Sequence, residues 1–281
     1  MRRKNLGLKH WVFQVFMVVS MVVLTAGFSP AKLYAQEHQI EKAAIYKDVY
    51  PLISESDRYC SFFIWDGDIP QLRITGAERE YEREMFTDGN TVYINQGRNQ
   101  GLEKGQVFMI VQMRDDSRYS ELMVQKTVPG YGLLAYRRGR LRIKALGENR
   151  ASAEIEKACG NIMVGDYLVP FQPLETVMGK DLGYDVSPFE TQGSGGEIIF
   201  LETEFNQIGD GHLALINLGK EDNVERGQQF IIFRQVKKGA PLKIFGNSVV
   251  IDVQEKTSTI KVLSSRDAVE IGDRVAVNPK G

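Results

Sequence analysis

The sequence has little of what most catalytic or ligand-heavy small proteins use. It holds two cysteines, Cys60 and Cys159, so it is no disulfide-dense miniature, and three histidines, too few for a histidine-rich metal centre. Nine prolines, and 27 glycines without a strict period, set it apart from collagen and low-complexity chains. Neither charge dominates, with 35 Lys and Arg against 36 Asp and Glu, so the basic excess of a phosphate-binding domain is missing. What is present is ordinary globular stock. With 43% hydrophobic and 25% charged residues in 281, the chain can bury a core, and its length suggests about two domains.

The one long apolar run lies at the start. Residues 1–35 carry Arg2, Arg3, Lys4, Lys9 and Lys32 and no acid, then an apolar stretch from Trp11 to Phe28, then a small-residue exit ending at Ala35. That order is the layout of a secretory signal peptide, with cleavage expected near Ala35 and an uncleaved membrane anchor as the alternative. The first cysteine, Cys60, stands too far on to be a lipid-attachment site. Removing the leader takes away five cations and leaves 30 basic groups against 36 acids, which argues further against nucleic acid as a partner. The expected location is the periplasm or the exterior, or the inner membrane facing the periplasm if the leader stays. In that oxidising setting Cys60 and Cys159 could form a disulfide, the alternative being two buried thiols.

The chain repeats itself. Residues 88–112 lie on residues 210–234 at a constant shift of 122, with ten of 25 positions identical, among them Gly97/Gly219, Gly105/Gly227, Gln106/Gln228 and Phe108/Phe230. Where the first copy has Gly101 the second has Asn223, the non-glycine residue that best tolerates a left-handed backbone, so both are expected at positive φ. A second block matches 139–170 with 246–277 at a shift of 107, anchored by Gly139/Gly246, Glu148/Glu255, Gly165/Gly272 and Asp166/Asp273. The drop in shift leaves 15 extra residues in the first copy, within 113–138. They include Pro129-Gly130-Tyr131-Gly132, which predicts a longer hairpin or a surface loop.

Between the turns the apolar pattern is that of strands. Phe108–Val111 and Phe230–Phe233 are apolar on both faces, as in buried central strands, while 151–155 and 258–262 alternate as strands with one wet face. The expected fold is therefore all-β: two tandem small β-barrel or sandwich units after the leader. The boundaries read as a leader at 1–35, a lead-in at 36–57, a first unit at 58–172, a linker at 173–195 and a second unit at 196–281. Gly97, Gly101, Gly105, Gly165, Asp166, Gly219, Asn223, Gly227, Gly272 and Asp273 are assigned to structural turns, since a feature present in both copies holds the fold before it does chemistry.

Little in the pattern points to catalysis. His38 and His212 have no spaced second ligand, so no metal is expected, and no glycine-rich stretch precedes a helix as phosphate or dinucleotide loops require. No cofactor is called for. Gly193-Ser194-Gly195-Gly196 superficially matches the nucleophile loop of trypsin-like proteases but lacks the preceding Asp, and the acid pairs Asp115/Asp116 and Asp66/Asp68 fit solvated turns. A hydrolase is thus the weakest reading, and the protein is expected not to be an enzyme.

The densest charge feature is Arg137-Arg138-Gly139-Arg140-Leu141-Arg142-Ile143-Lys144. Strand alternation puts Arg138, Arg140, Arg142 and Lys144 on one face, and the second copy has no such stripe. It marks a contact with an acidic partner or an anionic envelope polymer, or else a solvated strand face guarded by cations. The succession of a strand with Ile-Asn-x-Gly, a Gly-rich turn, Gly-Gln-x-Phe with an apolar strand, and a later Val/Ile-Gly-Asp resembles the C-terminal domain of the flagellar assembly protein T. It is also similar to β-repeats of bacterial envelope proteins that accompany LysM peptidoglycan-binding modules. The resemblance covers 88–112 with 139–170 and again 210–234 with 246–277, and it implies a bacterial envelope setting and a non-catalytic role. The expected function is a scaffold or adaptor that contacts an envelope protein through the 113–138 loop and the adjacent cationic strand. Direct binding of peptidoglycan or another anionic polymer is the alternative, and membrane contact would come only from an uncleaved leader.

Overall fold

Short apolar segments broken by glycine-bearing turns build strands and very little else. The computed structural model describes residues 49–281 except 79, 82, 83, 114–126, 186–194, 203–205, 236 and 238–240. The leader, His38, Asp115, Asp116, Ser194, most of the lead-in and residues 114–126 of the 113–138 insertion lie outside the described residues. The protein is all-β, and among the described residues its one α-helix is the five-residue α1 (Glu55–Tyr59), opened by a Ser54/Asp57 capping box. No helix among the described residues is long and apolar enough to cross a membrane.

The first half comprises β2 (Phe62–Trp65), β3 (Ile74–Ala77), β4 (Thr91–Ile94), β5 (Val107–Met113), β6 (Thr127–Val128), β7 (Gly132–Leu146), β8 (Ala151–Ala158) and β9 (Tyr167–Pro170). Preceding it is β1 (Tyr50–Pro51), which pairs with β10 (Met178–Gly179). The second half comprises β11 (Gly196–Leu201), β12 (Leu213–Ile216), β13 (Gln229–Arg234), β14 (Lys243–Val253), β15 (Ser258–Ser265) and β16 (Arg274–Val277).

Strand order exposes the duplication. The first sheet runs β3-β4-β8-β7-β5-β9, and the second half is a closed barrel running β11-β12-β15-β14-β13-β16, the same order strand for strand. The barrel closes where β11 pairs with β16, whereas the first sheet is a half-barrel whose ends meet at a bridge between Arg73 and Tyr167 flanked by backbone bonds from Ile74 N to Asp166 O, Gly165 N to Ile74 O and Leu168 N to Leu72 O. Each encloses its own core, Ile74, Ile94, Ile110, Leu141, Ile143 and Ile155 in the first and Ile216, Phe230, Ile232, Phe245, Val250 and Ile260 in the second.

A third apolar cluster joins the halves. Phe62, Ile64, Val128, Leu134 and Tyr136 from the first pack with Phe200, Leu213, Leu215, Val249 and Ile251 from the second. Phe62 and Phe200 meet edge-to-face with ring centres 5.3 Å apart. This seam explains why β12, Leu213-Ala214-Leu215-Ile216, is buried along its whole length: one face fills the barrel and the other fills the seam. The described part of the extra residues, β6 and the start of β7, is a hairpin that supplies Val128, Leu134 and Tyr136 to it. Polar clamps flank the seam. Thr259 Oγ1 donates to Phe62 O at 2.8 Å, Lys261 pairs with Asp57 at 2.6 Å, and Arg137 pairs with Asp252.

Residues 173–185, read from sequence as the first part of a linker, are tied to both halves. Arg58 donates to Leu174 O at 2.7 Å, Gln229 Nε2 to Lys180 O at 2.7 Å and Asn278 Nδ2 to Gly183 O at 2.8 Å. Cys60 and Cys159 are joined in a disulfide, with Cα atoms 5.3 Å apart, linking the C-terminus of α1 to the end of β8.

Candidate functional site

The residues shared by the two copies make the turns. Gly101 and Asn223 both close a 3-10 turn in the left-handed conformation, at φ 82° and 59°. Gly97 and Gly219 are glycine for a different reason, since a Cβ on either would lie within 2.7 Å of backbone atoms of the facing turn, 147–150 or 254–257. The paired glutamines staple the next turn: Glu103 N donates to Gln106 Oε1 at 3.0 Å and Glu225 N to Gln228 Oε1 at 3.2 Å.

Asp166 and Asp273 accept in the same way, from Met163 N at 2.8 Å and Glu270 N at 2.7 Å. Asp273 also grips Arg234 with both carboxylate oxygens, at 2.5 and 2.8 Å, and this holds the guanidinium pKa above its usual value. In the first copy Gln112 takes the place of Arg234. It reaches Asp166 at 3.4 Å and accepts from Arg138 at 2.8 and 3.0 Å, so Arg138 is held in a relay equivalent to the second copy's direct pair.

Arg140, Arg142 and Lys144 of the cationic stripe stand on the outer face of β7, with Leu141 and Ile143 turned into the core. Every side chain of the stripe is engaged. Arg142 pairs with Glu156 and donates to Gly105 O at 2.9 Å, and Lys144 pairs with Glu154 at 3.1 Å. Arg140 reaches Glu156 at 3.5 Å and Glu55 at 3.6 Å, and its guanidinium lies 5.5 Å from the Phe171 ring centre. The structure therefore interleaves Arg140, Arg142 and Lys144 with acids from β8 and α1, whereas Arg138, skipped in the β5–β7 pairing between Arg137 and Gly139, turns to the buried Gln112. Glu154, Glu156 and Glu55 were not singled out from sequence. The signal was present in the alternation of β8, but bulges in the β7–β8 register hide which residues face one another.

The same face continues past Lys144 to an open groove of about 600 Å³ next to Tyr93, with Glu80 and Arg150 among its charged residues and Gly76, Ala145 and Ser152 among its small ones. Tyr93 on β4 is 43% exposed and sits opposite Ser152 on β8. A second, smaller cavity lies between the halves, beside Trp65, Tyr131 and the β14–β15 turn. Of the residues considered for catalysis, Asp66 is exposed beside that smaller cavity, and His212 accompanies Asp210 O at 3.3 Å in a turn. Among the described residues no group of three or more His, Cys, Asp or Glu could hold a metal ion. No family model matches the chain, and no curated protein is significantly similar to it.

Proposed function

We propose that the protein is an exported, non-enzymatic component of the bacterial envelope that works as a scaffold or adaptor, offering the outer β4–β8–β7 face of its first half to a protein partner. One observation carries this reading. Along that face Arg140, Arg142 and Lys144 alternate with Glu154 and Glu156 and lead to the exposed Tyr93 beside a groove. Tyrosine and arginine are enriched at protein interfaces, where an aromatic ring supplies contact area and a pattern of opposite signs fixes register. A polyanion gains most from uncompensated cations, and three carboxylates compensate these. The Cys60–Cys159 disulfide supports an oxidising location.

The insertion plays a different part in this reading from the one its sequence suggests. Its Val128, Leu134 and Tyr136 are spent on the seam, and the partner surface is assigned to the β4–β8–β7 strands. The test is photo-crosslinking in cells from residue 144 of the full-length protein. The adaptor reading expects a discrete protein adduct that is lost in the Tyr93→Ala variant. Salt-sensitive co-sedimentation with isolated peptidoglycan sacculi, without a protein adduct, would replace it by the polymer reading.

A further inference from the structure

The two copies share not only strand order but register. Thr91 faces Glu154 and Tyr93 faces Ser152 in the first sheet, as Leu213 faces Lys261 and Leu215 faces Thr259 in the barrel. Val107 faces Arg142 as Gln229 faces Val249. The outer face of Thr91, Tyr93, Arg142, Lys144, Ser152 and Glu154 is therefore the counterpart of the barrel face buried in the seam, where Leu213, Leu215, Val249 and Ile251 meet β2 and the β6–β7 hairpin. One copy of this face is occupied from within the chain, and the other has no covering element among the described residues.

The differences between the copies describe what the open face would take. Gly76 pairs with Tyr93 as Phe200 pairs with Leu215, so a glycine stands where the barrel has the ring that meets Phe62. The groove of about 600 Å³ lies over this glycine. A Cβ there would approach only Tyr93 Cδ2, at 3.5 Å, and the end of the exposed Glu80 side chain, at 3.1 Å. Ser152 keeps the hydroxyl of Thr259, which donates to the backbone oxygen of Phe62 across the seam. Glu154 reverses the charge of Lys261, which pairs there with Asp57. Most of the face has turned polar, as an intermittently covered surface requires, yet Tyr93 keeps a large ring, 43% exposed, in the place of Leu215.

We propose that the partner of this face is a protein that lays a pair of antiparallel strands across β4–β8–β7 as β2 and the β6–β7 hairpin lie across the barrel, with an aromatic side chain in the groove over Gly76 and a basic side chain against Glu154. This rests on the adaptor reading and names the kind of protein that reading requires. The incoming ring takes the space that Phe200 fills in the other copy and packs on Tyr93. The Ser152 hydroxyl donates to a backbone oxygen of the incoming strand, in the manner of Thr259. The Glu154 carboxylate, already paired with Lys144, has the capacity to accept from a second cation, which selects a basic residue at the place where α1 offers Asp57 to the barrel.

The test places p-benzoylphenylalanine at position 91 of the full-length protein, the counterpart of Leu213 in the seam, and maps the crosslinked partner peptide by mass spectrometry. The expected result is the protein adduct seen from position 144, joined through a strand of the partner that carries an aromatic and a basic residue. Gly76→Leu, which fills the groove, and Glu154→Lys, which restores the barrel's charge, should each lose the adduct while keeping the parent's unfolding midpoint. Replacing the partner's mapped basic residue by Glu should restore the adduct of Glu154→Lys. An adduct from position 144 with none from position 91 leaves the adaptor reading in place and overturns this inference. So does an adduct from position 91 that both variants leave unchanged, or one that maps to a helix of the partner. No protein adduct from either position removes the adaptor reading and this inference with it.

Discussion

Gly97 and Gly101 stand four residues apart in one turn, and substitution by alanine separates the two reasons a chain uses glycine. At Gly101 nothing lies within 4 Å of an added Cβ, so Gly101→Ala is expected to cost only the left-handed backbone, about 1–2 kcal/mol. Gly101→Asn should recover most of that, because Asn223 already holds the equivalent position at φ 59°. At Gly97 the φ of −145° suits any residue, but an added Cβ would sit 2.6–2.7 Å from Gly147 O, Arg150 N and Glu148 O. Gly97→Ala must push two backbone turns apart, and the loss is expected to be larger than at Gly101 and not relieved by Asn. Urea unfolding of the three variants checks both statements. The Gly101/Asn223 exchange made the first reason legible in the sequence, since two residue types that share one property narrow what the site requires. Identical glycines at 97 and 219 say only that glycine is needed, and the approach of the 147–150 and 254–257 turns depends on tertiary packing.

The strand pair β7–β8 is where alternation alone carries least far. It correctly turns Leu141 and Ile143 inward and Arg140, Arg142 and Lys144 outward. It says nothing about the facing strand, because cross-strand partners depend on register, and here register shifts twice, between Arg140 and Leu141 and between Ile143 and Ala145. The ladder that results is half-exposed, so each pair is worth little singly. A double-mutant cycle of Arg142→Met and Glu156→Gln is expected to give a coupling of about 0.5–1 kcal/mol at low salt, shrinking as salt is added. The charge-exchanged double variant, Arg142→Glu with Glu156→Arg, should keep the fold. If the face docks a protein, the same exchange should break that docking, because the pair survives while the pattern shown to a partner is reversed. The ladder therefore gives the adaptor reading a variant in which stability and recognition move independently.

At the scale of the whole molecule the repeat predicts two units, and the structure makes them share a seam. The first half's joining residues, Phe62, Ile64, Val128, Leu134 and Tyr136, lie outside the duplicated blocks or in the first copy's extra residues, whereas the second half's Leu213, Leu215, Val249 and Ile251 lie within its blocks, where the first copy has Thr91, Tyr93, Arg142 and Lys144. A search for self-similarity finds what the copies have in common and passes over what makes them different, so the tandem arrangement was legible and the docking was not. Two consequences follow for unfolding. Replacing both Cys60 and Cys159 by alanine should lower stability by about 4–5 kcal/mol, since their separation of 99 residues closes a long loop in the unfolded chain. That loss resides in the first half, because the bridge joins α1 to β8. The seam governs a different property, which is cooperativity. With a common apolar cluster and the Arg137–Asp252 and Lys261–Asp57 pairs across it, calorimetry should show one transition for both halves. Phe200→Ala removes the ring that meets Phe62 and should cost about 3–5 kcal/mol. Each sheet keeps its separate core of Ile, Val and Phe, so the variant should also resolve the single transition into two, with the closed barrel melting last because it has no open edge. A variant that melts lower but still in one step would mean that the halves are coupled elsewhere, through the 173–185 segment that bonds to Arg58 on one side and Gln229 on the other.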